Sequence, residues 1–204
     1  MPKDHPFAIT SQNLLEFYQK GLFPMADSAD EAGFYLINPE TRTIFTPETF
    51  HIPKSLKKFM RKTSWLVTYN QNFNGVIDLC RAPRKGRMDT WINRDIRDLF
   101  IELHRLGHAH SVEIWNQNQL IGGVYGLSVG QIFCAESMAS LESNASSVAL
   151  VHLMAQLKAS GFMICDVQYN NPHLKKFQPQ EISRQEYLNR LTTSLNHPAH
   201  FINT

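Results

Sequence analysis

Residues 108–138 read HAHSVEIWNQNQLIGGVYGLSVGQIFCAESM, and this stretch decides the fold. Apolar residues alternate with polar or small ones through SVEIW, LIGGVYGL and QIFCAESM, the period of strands that bury one face. Between the runs the breaks are short and polar or glycine-containing, Asn116 to Gln119 and then Ser128 to Gly130. Breaks of that length make tight hairpins, so the three runs predict an antiparallel meander at the centre of one sheet. A helix is expected to follow over ASSVALVHLMAQLKAS. Ser143 or Asn144 would cap it, Val148, Val151, Met154 and Leu157 recur at three-to-four spacing, and Gly161 supplies the stop. FMICDVQY, residues 162–169, is then a buried strand returning to the sheet.

Working outward toward the N-terminus, the pattern predicts a helix over 93–106, with Ile96, Leu99, Phe100, Leu103 and Leu106 as its apolar face. Before it come a mobile basic loop, PRKGRMD (83–89), a helix in NFNGVIDLCRA, a strand in SWLVTYN and a basic helix over 54–62 that begins at Pro53. TSQNLLEFYQKGLF (10–23) predicts a short amphipathic helix, and FYLINPETRTIF (34–45) two short strands about a Pro-Glu-Thr turn. These elements suggest a small N-terminal α/β domain over 1–52 and a main domain over 53–204. On the C-terminal side, SRQEYLNRLTTSLN pairs Ser183 with Glu186 in a capping-box pattern that opens a last helix. The order helix, helix, meander, helix, strand, helix predicts an α+β fold, an acetyltransferase-like mixed sheet with helices on both faces.

Composition narrows the functional classes. With 204 residues and 43% hydrophobic content, the chain can bury a core for one domain and an appendage. No stretch approaches the roughly 20 apolar residues of a membrane span, and MPKDHPFAIT lacks the apolar centre of a signal peptide, so no membrane role and a cytoplasmic address are expected. Cys80, Cys134 and Cys165 are odd in number and lack CxxC spacing, which argues against a disulfide framework or zinc site and for reduced thiols. Net charge is only +2, yet Lys54, Lys57, Lys58, Arg61 and Lys62 cluster, as do Arg81, Arg84, Lys85 and Arg87. Such clusters favour a polyanion, nucleic acid above all; a solvated helix face carries the same pattern.

Three acidic or amide side chains stand out. Asp166 and Gln168 are two apart on a predicted strand, leaving one face, among Met163, Ile164, Cys165 and Val167. A carboxylate there is either paired structurally or raised in pKa toward proton transfer. Glu136 is a second acid in apolar company; it converges with Asp166 and Gln168 if the two strands neighbour one another, or faces water by simple alternation. Phe133, Met138, Val124 and Leu153 would then line an apolar cavity beside them. Trp91, next to the basic loop, suits either stacking on a nucleobase or burial. His104, His108 and His110 straddle a helix end without an acidic or Cys partner, so no metal is expected. Neither GxSxG nor a local Cys–His pair is present. Where a coenzyme A enzyme of this fold needs a glycine-rich turn to cradle pyrophosphate, this chain has SLESNAS, which disfavours that cofactor.

TWI, LGHAHSVEIW, LIGGVYG, FCAESM, the NAS that opens the long helix, DVQ and EISRQEYL together resemble bacterial leucyl/phenylalanyl-tRNA–protein transferases, in unbroken order from about Leu14 to about Leu191. The resemblance implies an acetyltransferase-like (GNAT-type) domain with a small N-terminal domain and no cofactor. It implies transfer of Leu, Phe or Met from aminoacyl-tRNA to proteins beginning with Lys or Arg, creating a degradation signal. Asp166 and Gln168 match the pair proposed to orient the acceptor amine, with Glu136 in the same pocket. Val124, Phe133, Ala135, Met138, Leu153 and Cys165 match the aminoacyl pocket, Trp91 a residue that meets the terminal adenosine, and Lys54 to Lys62 a tRNA surface. The chain departs from the family at AESMAS, where GESMFS is usual, at NPHLKKFQPQE, where TDHLxxxGAxE is usual, and at FYLINPE, where a Trp-rich motif is common. A non-catalytic tRNA-binding relative and an N-acyltransferase with another acceptor are the competing expectations.

Overall fold

Thr10 opens the first helix of the computed structural model, which describes residues 9–83 and 88–201. Its hydroxyl accepts the Asn13 N–H while the Asn13 side chain accepts the Thr10 N–H, so α1 (Ser11–Gln19) starts with both donors satisfied. β1 (Phe23–Met25) and β2 (Tyr35–Ile37) pair only with each other. β3 (Thr41–Phe45), α2 (Lys54–Met60), β4 (Leu66–Tyr69), α3 (Phe73–Arg81) and α4 (Arg94–Arg105) lead into the meander of β5 (Ala109–Asn116), β6 (Gln119–Val129) and β7 (Ile132–Ser140). Next come α5 (Ala145–Ala159), β8 (Ile164–Asp166), a 3-10 turn at Lys175–Phe177, β9 (Gln180–Ser183) and α6 (Arg184–Leu195). Arg84, Lys85 and Arg87 of the expected basic loop lie outside the described residues.

The large sheet runs β4-β5-β6-β7-β8-β3-β9. Every neighbouring pair is antiparallel except β7 with β8, so the sheet is mixed. Both hairpins of the meander close through two residues, with Gln117 at φ 54 and Gly130 at φ +59 supplying the left-handed backbone such turns require. Two strands lie beyond the one expected to end the sheet. β3, from within residues 1–52, inserts between β8 and β9 and runs antiparallel to both. β9 escapes a periodicity reading because it is four residues long and only Ile182 is buried.

Alternation along the strands divides the core in two. Ile44, Tyr125, Leu127, Ile132, Cys134 and Ile164 meet α1, α3, α4 and α6 on one face. Their neighbours Phe45, Val124, Phe133 and Cys165 meet α2 and α5 on the other. α5 settles deeply because β6 carries Gly122, where a Cβ would come within 2.6 Å of the Ala145 Cβ. Its cap differs from expectation: Asn144 is left-handed at φ 74 and makes no side-chain cap, and Ser140 at the end of β7 accepts the Ser146 N–H instead, at 2.7 Å. Past α6 the chain folds back, Ala199 N–H donating to Gly130 O at 3.0 Å. Phe201 then stacks on His110 (4.5 Å between centroids) and leans on Phe133, closing the α5-side core. Among the described residues no helix is long and apolar enough to cross a membrane.

Because Ser140 serves as the cap of α5, Ser140→Ala should destabilise the protein by about 1 kcal/mol and lower the melting temperature by about 2–4 °C, whereas Ser143→Ala should have little effect. Thermal denaturation of both variants checks this.

Candidate active site

β7 and β8 share three rungs, Ile132 with Ile164, Phe133 with Cys165 and Cys134 with Asp166, and then part. β7 continues along β6 across a bulge: Tyr125 pairs with Ser137 but Gly126 with Ala135, which leaves Glu136 as the extra residue. β8 instead turns toward β3, where Val167 N–H donates to Thr43 O at 2.9 Å and Thr43 N–H to Gln168 O at 3.1 Å. The strand expected to run on to Tyr169 therefore ends at Asp166. Gln168 sits in a turn at φ 55, its N–H donating to Asp166 Oδ1 at 2.9 Å, so the two are not same-face strand neighbours. Across the gap left by the parting strands, Gln168 Nε2 donates to Glu136 Oε1 at 3.0 Å. All three expected polar residues are brought together, by a turn and a bulge rather than by strand alternation.

The Asp166 side chain points into the core on the α1/α6 face. Arg42 Nη1 donates to Asp166 Oδ2 at 2.7 Å, and both side chains are almost wholly buried. The other Arg42 terminal nitrogen donates to the Gly21 carbonyl. The guanidinium carbon lies 4.8 Å from the Phe23 ring centroid and 4.4 Å from that of Tyr187. Tyr18 is buried beside Glu136, and Cys134 Sγ lies 3.9 Å from Tyr187 Oη. Arg42, Tyr187 and Tyr18 were not singled out from sequence. A signal existed for two of them: Arg42 shares its face of β3 with the core residue Ile44, and Tyr187 shares its helix face with Leu191, four residues on.

These surroundings separate the two acids. Burial pushes the Glu136 carboxyl up to about 8, outweighing the opposing influence of the neighbouring Tyr18 hydroxyl, the Arg42 cation and the Gln168 amide, so it is mostly protonated at neutral pH. Burial also pushes the Asp166 carboxyl up, while Arg42, the Gln168 N–H and Tyr187 pull the other way. Gln168 thus links the two acids, its backbone N–H donating to Asp166 Oδ1 at 2.9 Å and its Nε2 to Glu136 Oε1 at 3.0 Å.

The apolar set takes a different position from the one expected. Val124, Phe133, Ala135, Leu153 and Cys165 are buried in the α5-side core and Met138 packs half-buried against it, across the sheet from Asp166 and Arg42. Side chains alternate along β7 and β8, which sends the apolar residues to one face and the acids to the other. Met138 and Val167, partly buried against the α5-side core, lie just past Glu136 and Asp166 in sequence. Trp91 is half-buried against the α1/α3/α4-side core, its carbonyl accepting the Ala26 N–H at 3.3 Å. Lys54, Lys57, Lys58, Arg61 and Lys62 are exposed on and just after α2, over the opposite face. His104 bonds Ala109 O through Nδ1 at 2.8 Å and stacks on Phe73; His110 contacts Asn70 Nδ2 at 3.2 Å and stacks on Phe201, and burial pushes it down to about 4. Cys80, Cys134 and Cys165 are buried and form no disulfide.

Comparisons with known proteins bear on the fold and the family. The crystal structure of FemX superposes with a TM-score of 0.53 at 12% identity, covering 84% of this chain and 65% of that one, which supports the mixed α+β fold. The family model described as leucyl/phenylalanyl-tRNA protein transferase matches residues 44–192. A leucyl/phenylalanyl-tRNA–protein transferase of Rhodopseudomonas palustris (strain HaA2) is 45% identical over 193 residues, 95% of this chain and 86% of the relative. Another, of Phenylobacterium zucineum (strain HLK1), is 44% identical over 191 residues, 94% of this chain and 86% of the relative. The family match and the relatives define an enzyme of the aminoacyltransferase class. The chain belongs to the leucyl/phenylalanyl-tRNA–protein transferase family.

The raised Glu136 pKa fixes the sign of a pH effect. Between the ordinary glutamate value of 4.5 and about 8, the unfolded chain loses the Glu136 proton while the folded protein keeps it, so this group's stabilisation is complete below 4.5 and is lost as pH rises toward 8. Glu136→Gln, which cannot ionise, should therefore melt at a higher temperature than the wild type at pH 8, by an amount that shrinks as pH is lowered to 5. The difference in unfolding free energy at pH 8 is on the order of a few kcal/mol. Parallel pH dependences for the two proteins would contradict the assignment.

Proposed function

We propose that the protein moves Leu, Phe or Met from aminoacyl-tRNA to the N-terminal α-amine of proteins that begin with Lys or Arg, a modification that marks them for degradation. The observation that carries the site assignment is the Asp166–Gln168–Glu136 arrangement across the gap between β7 and β8. In the reaction the amine nitrogen attacks the ester carbonyl, an amide bond forms, the bond to the ribose oxygen breaks, and the amine proton ends on that oxygen. Gln168, with its Nε2 engaged by Glu136, offers its carbonyl oxygen to an amine N–H. Protonated Glu136 gives its proton to the leaving ribose oxygen and takes up the one released by the amine, so the net transfer is from amine to ribose oxygen, and Asp166 favours the positive charge that develops on nitrogen. These residues orient the reactants as much as they move protons.

In this reading the aminoacyl side chain enters from the α5 side, against Met138, Val124, Phe133, Ala135, Leu153 and Cys165. The exposed cations Lys54, Lys57, Lys58, Arg61 and Lys62 bind phosphates of the tRNA acceptor stem, and Trp91 meets the terminal adenosine. The single splayed parallel pair supports a GNAT-type sheet, and the separate β1–β2 pair supports a small N-terminal domain within residues 1–52. Coenzyme A has no part in it: the Ser146 N–H at the start of α5 already bonds Ser140, and Glu142 adds negative charge there. A charged-tRNA donor suits a cytoplasmic enzyme.

A transfer assay tests the proposal directly. With Leu- or Phe-tRNA and peptides beginning with Lys or Arg, the wild type should transfer, while Asp166→Ala and Gln168→Ala should each lose at least about 100-fold in kcat with tRNA binding retained. A wild type that binds tRNA without transferring would make the chain a non-catalytic relative, and transfer to another acceptor alone would make it a different N-acyltransferase. Replacing Lys57, Lys58 and Arg61 by Ala should raise KM for charged tRNA and reduce the slope of log KM against log salt by up to about 0.9 per lost phosphate contact. An unchanged slope would put the tRNA elsewhere.

A further inference from the structure

We propose that Arg42 is a positioning residue for aminoacyl transfer: through its ion pair it fixes the Asp166 carboxylate, which holds the Gln168 turn and thereby aims the Gln168 amide across the gap at Glu136. This rests on the reading of Asp166, Gln168 and Glu136 as the reacting site. The two oxygens of Asp166 are divided between these tasks. Oδ2 receives Arg42 Nη1 at 2.7 Å and Oδ1 receives the Gln168 N–H at 2.9 Å. Gln168 carries a side chain at φ 55, a backbone region such residues enter only when neighbours hold them there. The neighbours that do so are Asp166 Oδ1 and, through the Gln168 carbonyl, the Thr43 N–H at 3.1 Å, and Thr43 is the residue next to Arg42. β3 therefore grips the turn twice, once by its backbone and once through the Arg42 side chain.

Arg42 is itself fixed from three directions. The Gly21 carbonyl at the end of α1, the Phe23 ring on β1 and the Tyr187 ring on α6 leave the guanidinium one direction in which to present Nη1, toward Asp166. Among the described residues, the other groups that face the carboxylate offer no second cation. They are Tyr187 on α6, Cys134 and Glu136 on β7, Tyr18 on α1 beyond Glu136, and Cys165 beside it in the chain. Without Arg42, phenols, thiols and a neutral acid would surround the carboxylate, and it would take up a proton at a higher pH. A protonated Asp166 grips the Gln168 N–H less firmly, and the amide that spans the gap loses its aim.

The experiment measures kcat and KM against pH for Leu transfer to a peptide beginning with Arg, in wild type, Arg42→Met, Arg42→Lys, Asp166→Asn, Asp166→Ala and the double variant Arg42→Met/Asp166→Asn. In Arg42→Met, kcat should fall at least about 30-fold, KM for Leu-tRNA should stay within about threefold, and the acid limb of the kcat profile should move up by about one pH unit or more. Arg42→Lys, which keeps the charge without the fork, should recover part of the rate and of the shift. Because Arg42 acts through Asp166, adding Arg42→Met to Asp166→Asn should cost less than about threefold more. A folded Arg42→Met with wild-type kcat and acid limb, or losses that simply multiply in the double variant, would overturn the proposal. If Arg42→Met does not fold, Arg42→Lys decides, since an unchanged rate and profile there would also overturn it. Full activity in Asp166→Ala would remove the underlying site reading as well. Loss in Asp166→Ala with none in the Arg42 variants would remove the positioning role alone.

Discussion

The buried ion pair between Arg42 and Asp166 is the interaction on which the rest of the arrangement depends. Both charges are withdrawn from water, at 2% and 0% exposure for the two residues, and neither would be tolerated there alone. Removing one partner of such a pair typically costs about 3–5 kcal/mol, because the other is left uncompensated. The pair ties together elements remote in sequence: β3 supplies the cation, β8 the anion, the end of α1 a carbonyl, and β1 and α6 the flanking rings. It also explains why a strand from the N-terminal quarter of the chain lies inside the large sheet.

From that pair the site follows in steps. With one Asp166 oxygen held by Arg42, the other takes the Gln168 N–H and the chain leaves the strand at once. On the facing strand a bulge turns Glu136 inward, and burial keeps it protonated. Neither a regular β7 nor a longer β8 would produce a gap spanned by one amide. Both irregularities depart from ideal sheet geometry, and both fall where the chemistry is proposed to occur, as expected when local strain persists only because the surroundings enforce it.

Much of this was legible in the sequence. The meander and the long helix after it follow from alternation, spacing and turn length, because each is a local pattern repeated over enough residues to be recognised, whereas the pairing of β7 with β8 was left open. Asp166, Gln168 and Glu136 stood out as polar groups in apolar runs. Their means of convergence did not, since a bulge and a left-handed glutamine have no periodic signature. β9 was too short, and β3 was assigned to a separate unit because its partners lie more than a hundred residues away. Arg42 passed unnoticed for the same reason: sharing a strand face with Ile44 marks it as buried, but its carboxylate lies far away in sequence. The apolar residues were correctly read as buried, but alternation sends them to the opposite face from the acids.

The central claim is that transfer takes place in the gap between β7 and β8, with the acids on one side of the sheet and the aminoacyl side chain on the other. A crystal structure with a non-hydrolysable leucyl-adenosine analogue tests it most directly. The prediction is that the analogue's carbonyl lies within hydrogen-bonding distance of the Gln168 amide, with the leucyl group against Met138 and Val124. Analogue bound with its carbonyl remote from Gln168, for example in the groove beside Trp115 at the β4 edge, would contradict it.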